Sequence, residues 1–158
     1  MIKLIRIDDR LVHGQVAFTW VPSLGTDCLL VANDTTAKDD FQKMTLGLAK
    51  PAGVKLIIKS ISDAIVFLND EKNKGLKILV LINTVKDAFV LANGVPEIHS
   101  INFGGIRAKE GAKLISKAVA VTDEDVIVIK ELLHRGIELE IRQVPSDEKQ
   151  KVSALIQV

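Results

Sequence analysis

Five short runs rich in β-branched and leucine residues punctuate the first two-thirds of the chain: Lys3–Ile7, Asp27–Ala32, Val54–Ile58, Leu76–Ile82 and Glu97–Asn102. Several are apolar at successive positions rather than at alternate ones, the pattern of strands covered on both faces. The stretches between them carry helical periodicity and capping residues. Ser60 precedes a helix with Ile61, Ala64, Ile65 and Leu68 on one face. Thr84 opens another with Val85, Ala88, Phe89 and Ala92 inward, and Gly94 supplies a left-handed stop. Thr122 opens a third, carrying Val126, Ile129, Leu132 and Leu133 and ending at Gly136. Lys38–Lys50 presents Phe41, Met44 and Leu48 and is closed by Pro51, while a shorter helix follows Gly14 through Val16, Ala17 and Trp20 to Pro22.

Strands alternating with helices at this spacing imply parallel strands joined by crossovers. The expected fold class is therefore α/β, a single-domain, doubly wound, open and mainly parallel sheet with helices on both faces. Ala118–Val121 and Ile137–Val144 read as later strands, one of them a candidate antiparallel edge. A closed eight-fold barrel needs ~250 residues, and this chain has 158. No repeat or linker divides it, so one domain over residues 1–158 is expected.

Composition narrows the function classes. Lys and Arg number 21 against 20 Asp and Glu, so there is no broad basic footprint for nucleic acid. The longest apolar runs, such as Ile78–Ile82, are five residues, far short of the about 20 needed to span a bilayer. One cysteine excludes an internal disulfide and a multi-cysteine zinc site, which favours a cytoplasmic setting. No cofactor motif and no convincing metal-ligand spacing is present. Cys28 reads as a small core hydrophobe, His99 as a structural residue inside its strand, and His134 as a cation in the last turn of a helix.

In open α/β sheets ligands bind beyond the carboxyl ends of the strands. There the sequence places Asp8-Asp9-Arg10-Leu11-Val12-His13, Asn33-Asp34-Thr35-Thr36, Lys59-Ser60, Asn83-Thr84 and Asn102-Phe103-Gly104-Gly105-Ile106-Arg107. The first loop holds an imidazole, a guanidinium and two carboxylates just ahead of a helix. An imidazole with an ordinary pKa near 6.5 is largely neutral and nucleophilic at cellular pH. A helix N-terminus favours an added anion, Arg10 offers bidentate donors for phosphoryl oxygens, and Gly14 allows close backbone approach. An aspartate at position 8 or 9 can fix the imidazole tautomer. The set points to a phosphohistidine site. The plainer alternative is that Asp8 and Asp9 cap the helix, Arg10 makes a surface ion pair and His13 is a satisfied polar residue. Gly104-Gly105 alone is a weak phosphate signal.

The segment Arg6-Ile7-Asp8-Asp9-Arg10-Leu11-Val12-His13-Gly14-Gln15-Val16 resembles the hallmark of the IIB component of the mannose/fructose/sorbose class of bacterial sugar phosphotransferase systems. The likeness continues through Asn102-Phe103-Gly104-Gly105 and Ile141-Arg142-Gln143-Val144-Pro145, so it covers essentially the whole chain. It implies that His13 accepts a phosphoryl group, at Nδ1, from a phosphohistidine of the IIA component. His13 then donates the group to a sugar entering through the membrane IIC and IID components. Mannose, fructose, sorbose and N-acetylgalactosamine all remain open as that sugar. Arg10 maps onto the arginine that neutralises the phosphoryl oxygens, with Asp9, Gly14 and Gln15 as supporting residues of the same motif. The resemblance implies a stand-alone IIB chain rather than an IIAB fusion, and leaves the oligomeric state open, a homo-oligomer included. The face around His13 is then expected to be partly apolar, through Leu11, Val12, Phe18 or Trp20. The competing readings are a flavodoxin-like anion- or nucleotide-binding module without covalent phosphorylation, and a purely regulatory protein on the same fold.

Overall fold

The computed structural model of the protein describes residues 1–156. Among the described residues, nine strands form one seven-stranded sheet and a separate two-stranded ribbon. The strands are β1 (Ile2–Ile7), β2 (Cys28–Ala32), β3 (Lys55–Lys59), β4 (Ile78–Ile82), β5 (Ser100–Phe103), β6 (Ala112–Leu114), β7 (Ala120–Thr122), β8 (Glu138–Ile141) and β9 (Gln150–Lys151). In the large sheet the order is β3-β2-β4-β1-β5-β8-β9, parallel throughout except for β9, which runs antiparallel on the β8 edge. The fold is the open, mainly parallel α/β sheet that the alternation of elements predicts.

Both faces are covered, which is why β2 and β4 are buried at every position. On one face Ile5, Ile7, Leu30, Val80 and Ile82 pack against α4 (Ile61–Asn69), α5 (Val85–Gly94) and α6 (Asp123–His134). On the other, Leu29, Val31, Leu79 and Leu81 meet Val16, Trp20 and Val21. Those three residues belong to α1, a π-helical turn over Val16–Trp20 that runs directly into Val21–Leu24. The remaining helices are α2 (Asp34–Ala37), α3 (Asp40–Ala49) and α7 (Val152–Leu155). Ser60, Thr84 and Thr122 cap α4, α5 and α6, the last with a full capping box to Asp125.

Several local expectations are corrected. Ala118–Val121 does not join the large sheet: β7 pairs antiparallel with β6 in the separate ribbon, and the edge strand is β9. His99 lies outside β5 and is exposed, because a turn closed by the Ile98 N–H on the Val95 carbonyl delays the strand to Ser100. Gly94 ends α5 without a left-handed residue. Its lack of a side chain serves packing instead, since a Cβ there would lie 2.7 Å from Ile65 Cδ1 on α4. On α3 only Leu46 is buried, while Phe41, Met44 and Leu48 face outward. Leu46 is the buried residue that carries α3 into the cluster that Val16, Trp20 and Val21 of α1 share with the sheet.

One row of the second face is polar. Arg6 of β1 is in register with Asn102 of β5, and Asn102 with Glu140 of β8; all three are buried. Gly104, just past β5, lies against this row. A Cβ at Gly104 would stand 2.5 Å from Arg6 Cζ, whereas one at Gly105 would meet nothing within 4 Å. Because the Arg6 head is hydrogen-bonded and enclosed, it cannot swing aside. Gly104→Ala is therefore expected to cost about 1–3 kcal/mol through overpacking, while Gly105→Ala stays within about 0.5 kcal/mol of the parent. Urea denaturation of the two variants checks this, and equal stability of both would show that the guanidinium has room to move.

Candidate functional site

The loop after β1 is stapled to its neighbours through backbone hydrogen bonds. The Asp8 N–H donates to the Ile82 carbonyl at 2.8 Å, and the Asp9 N–H donates to the Gly105 carbonyl at 2.9 Å. The chain then turns sharply, with the Leu11 N–H donating to the Asp8 carbonyl at 3.0 Å and Leu11 in the left-handed region at φ 58°. That conformation costs a leucine roughly 1–2 kcal/mol. Burial of the Leu11 and Val12 side chains against the sheet holds it. His13 follows at the start of α1, and its carbonyl accepts the Ala17 N–H at 2.9 Å.

Asp8 is the centre of the site. Its side chain is fully buried, and both carboxylate oxygens are engaged. Oδ1 accepts the Arg10 backbone N–H at 3.1 Å and lies 3.9 Å from Arg10 Nε. Oδ2 lies 2.9 Å from His13 Nε2 and accepts from Arg6 Nη2 at 3.2 Å. Burial alone would push this carboxyl upward. The hydrogen bonds to His13 and the Arg10 backbone, with the charges of His13 and Arg6, outweigh it and hold Asp8 below its ordinary value of 3.8. An ionised carboxylate only accepts hydrogen bonds, so His13 Nε2 carries the proton. In the neutral ring the free lone pair is then on Nδ1, which no hydrogen bond engages among the described residues. A nitrogen lone pair free of any such partner can attack an electrophilic, anionic phosphorus centre, and the half-exposed Arg10 guanidinium lies 3.9 Å from the same carboxylate that holds the ring.

The other motif residues have distinct surroundings. Asp9 turns away from His13 and accepts from the Arg107 backbone N–H at 2.9 Å and from Arg107 Nε at 2.8 Å, tying the loop to the segment after β5. Gly14 is exposed, and a Cβ there would reach only Phe18 Cδ2, at 4.0 Å, so the fold itself does not require glycine. The Gln15 carbonyl accepts from the Thr19 hydroxyl, and its side chain makes no hydrogen bond among the described residues. Of the residues expected to make an apolar face, only Phe18 is exposed; Leu11, Val12 and Trp20 are core. The His13 side chain itself is 12% exposed, so it sits recessed in the rim rather than standing clear of it.

Two clefts flank Arg10. One, of about 740 Å³, is lined by Arg10 with Asn33, Thr35, Thr36, Asn83 and Thr84, which places the ends of β1, β2 and β4 on one rim as predicted. The other, of about 620 Å³, is bounded by Arg10, Gly105, Arg107, Lys117 and Gln143. Asn102 does not belong to the rim; its side chain is buried inside the sheet. Missing from the sequence reading are the roles of Arg6, Glu140, Arg142 and Trp20. The signal available was a charge at the centre of an apolar strand.

The model of the family described as PTS system sorbose subfamily IIB component matches residues 2–158. A probable phosphotransferase enzyme IIB component from Streptococcus pyogenes serotype M6 is 37% identical over 163 residues, covering 99% of each chain. The PTS system sorbose-specific EIIB component of Lacticaseibacillus casei is 33% identical over 99% of this chain and 95% of its own. Among solved structures, the IIBSor domain of the sorbose permease from Klebsiella pneumoniae superposes with a TM-score of 0.93 at 28% identity, covering 98% of this chain and 95% of that one. Sequence model, curated relatives and superposition agree along the chain, which therefore belongs to the sorbose subfamily of IIB components of the phosphotransferase system.

Proposed function

We propose that residues 1–158 act as one cytoplasmic phosphoryl-relay domain, with His13 as the residue that carries the phosphate. The observation that supports this reading best is the 2.9 Å contact of His13 Nε2 with the buried, ionised Asp8, which reserves Nδ1 for chemistry. The Nδ1 lone pair attacks the phosphorus of a phosphohistidine on a IIA component. The new N–P bond forms as the old one breaks, and the electron pair returns to the donor nitrogen. The phosphorylated ring gains positive charge, which Asp8 offsets through Nε2–H, as a buried aspartate does for an imidazolium elsewhere. Arg10 neutralises the equatorial oxygens, where such reactions concentrate their charge. In the second step a sugar hydroxyl oxygen, presented through membrane IIC and IID components, bonds to the phosphorus as the N–P bond breaks, the electron pair returning to Nδ1 and the hydroxyl proton passing to solvent. Relatives named for sorbose, mannose, fructose and N-acetylgalactosamine support a sugar of that class as the acceptor.

Incubation with a phosphorylated IIA component is expected to place an acid-labile label on His13, and His13→Ala to remove it. Reversible nucleotide binding without label would instead support a binding module. Arg10→Ala is expected to slow transfer by about 10²–10³-fold while leaving stability within about 0.5 kcal/mol, since its side chain is half exposed and makes only a 3.9 Å ion pair. Unchanged transfer in that variant would remove Arg10 from the mechanism.

The Asp8 shift also fixes a pH dependence. Its carboxyl is lowered on folding, so its stabilisation is complete above the ordinary 3.8 and is lost as pH falls through the lower folded value. Asp8→Asn removes the titrating group and is expected to give a shallower loss of stability on the acid side. Urea midpoints collected across that range decide it, and superimposable acid limbs would mean that Asp8 is not depressed.

A further inference from the structure

Behind Asp8 lies a polar network that the phosphoryl chemistry does not touch. Arg6 donates through Nη1 to Asn102 Oδ1 at 2.7 Å and to the Arg142 carbonyl at 2.9 Å. Through Nη2 it donates to Asp8 Oδ2 and to the Gln143 carbonyl, each at 3.2 Å. Asn102 passes the connection on by donating to Glu140 Oε1 at 3.1 Å, and Arg142 closes it bidentately on Glu140 at 2.7 and 2.9 Å. Both guanidiniums lie 5.1 Å from the centre of the Trp20 ring, whose indole N–H donates to the Gln143 carbonyl at 3.0 Å.

A sheet face has no need of such a row for stability. Replacing a buried ion pair by well-packed apolar residues is commonly neutral or favourable. What the row does supply is direction. A buried carboxylate has soft torsions, and hydrogen bonds to both of its oxygens are needed to hold it in one orientation. Besides the His13 ring, Arg6 is the donor on Oδ2 among the described residues, and Arg6 is itself anchored by acceptors on the neighbouring strand β5 and in the loop after β8. The π-helical turn puts Trp20 over that guanidinium, so the helix that begins beside His13 also roofs the group that aims its partner.

We infer that Arg6, braced by Asn102, Glu140, Arg142 and Trp20, is a positioning residue: it aims the Asp8 carboxylate so that His13 is held in the Nε2–H tautomer with Nδ1 as the reacting nitrogen. This rests on the phosphohistidine reading for its consequence in turnover, but the tautomer can be measured without any phosphoryl donor. Arg6→Lys keeps a cation and removes the planar fork that serves several acceptors at once. Nitrogen-15 NMR of the neutral His13 ring in the intact chain is expected to show the Nε2–H form alone in the parent. A mixture of the two tautomers is expected in Arg6→Lys and in Asp8→Asn. Transfer from phosphorylated IIA is expected to fall by about 10²-fold in each, the scale set by small misplacements of a reacting group. Combining them should cost no more than Asp8→Asn alone, because Arg6 acts through Asp8.

Should Arg6→Lys not fold, Glu140→Gln, which keeps the shape but turns one accepting oxygen into an amide nitrogen that cannot accept from Asn102 or Arg142, is to be read instead, with a smaller admixture of the second tautomer expected. A folded Arg6→Lys or Glu140→Gln chain with the parent's single tautomer overturns the inference, as does a further fall in the double variant. If the parent itself takes no phosphate on His13, the relay reading fails while the tautomer result still decides the role of Arg6.

Discussion

Burying a guanidinium in the face of a β-sheet is the constraint around which the functional end of this protein is arranged. A lone charge there would be untenable, so Arg6 must be met by acceptors, and each acceptor restricts another part of the chain. Asn102 and the carbonyls of Arg142 and Gln143 bring β5 and the loop after β8 to it. Asp8 gives it a counter-charge and, on the same oxygen, reaches His13. Gly104 gives it space. The neutrality of the interior and the geometry at the imidazole are thus satisfied by one set of contacts.

The site divides its labour by depth. Asp8 is wholly buried, His13 is recessed, and Arg10 is half exposed above them. The deep carboxylate stays ionised because its hydrogen bonds and neighbouring charges outweigh the cost of burial, which sets the proton on Nε2 of the ring. The shallow guanidinium keeps its mobility and can meet a ligand arriving from solvent. Asp9, though adjacent in sequence to Asp8, takes no part in that column; it braces the loop against Arg107.

How much of this could be read from residues alone follows from what kind of force sets each feature. The parallel order of layers was legible because continuous apolar runs such as Ile78–Ile82 leave no other solution than cover on both faces. The caps Ser60, Thr84 and Thr122 were legible because they satisfy donors within a few residues of themselves. That Phe41, Met44 and Leu48 face outward was not legible, because helical spacing reports an apolar face but not which of its residues the sheet has room to cover, and here that residue is Leu46. The imidazole and guanidinium of the first loop stood out as a local cluster. Their supporting row did not, since Arg6, Asn102 and Glu140 are far apart in sequence and meet only through strand register. A charge in the middle of an apolar strand was the one visible clue.

Leu11 shows a conflict of another sort. Its side chain is wanted by the core, whereas its backbone adopts a conformation natural to glycine. Glycine would relax the turn and leave a void; a branched residue would fill the void and aggravate the turn. No residue satisfies both demands, so the position is locally frustrated whatever occupies it. The strained turn is what folds the imidazole back onto a carboxylate only five residues earlier, so the contact between ring and carboxylate is bound to a backbone conformation that leucine resists.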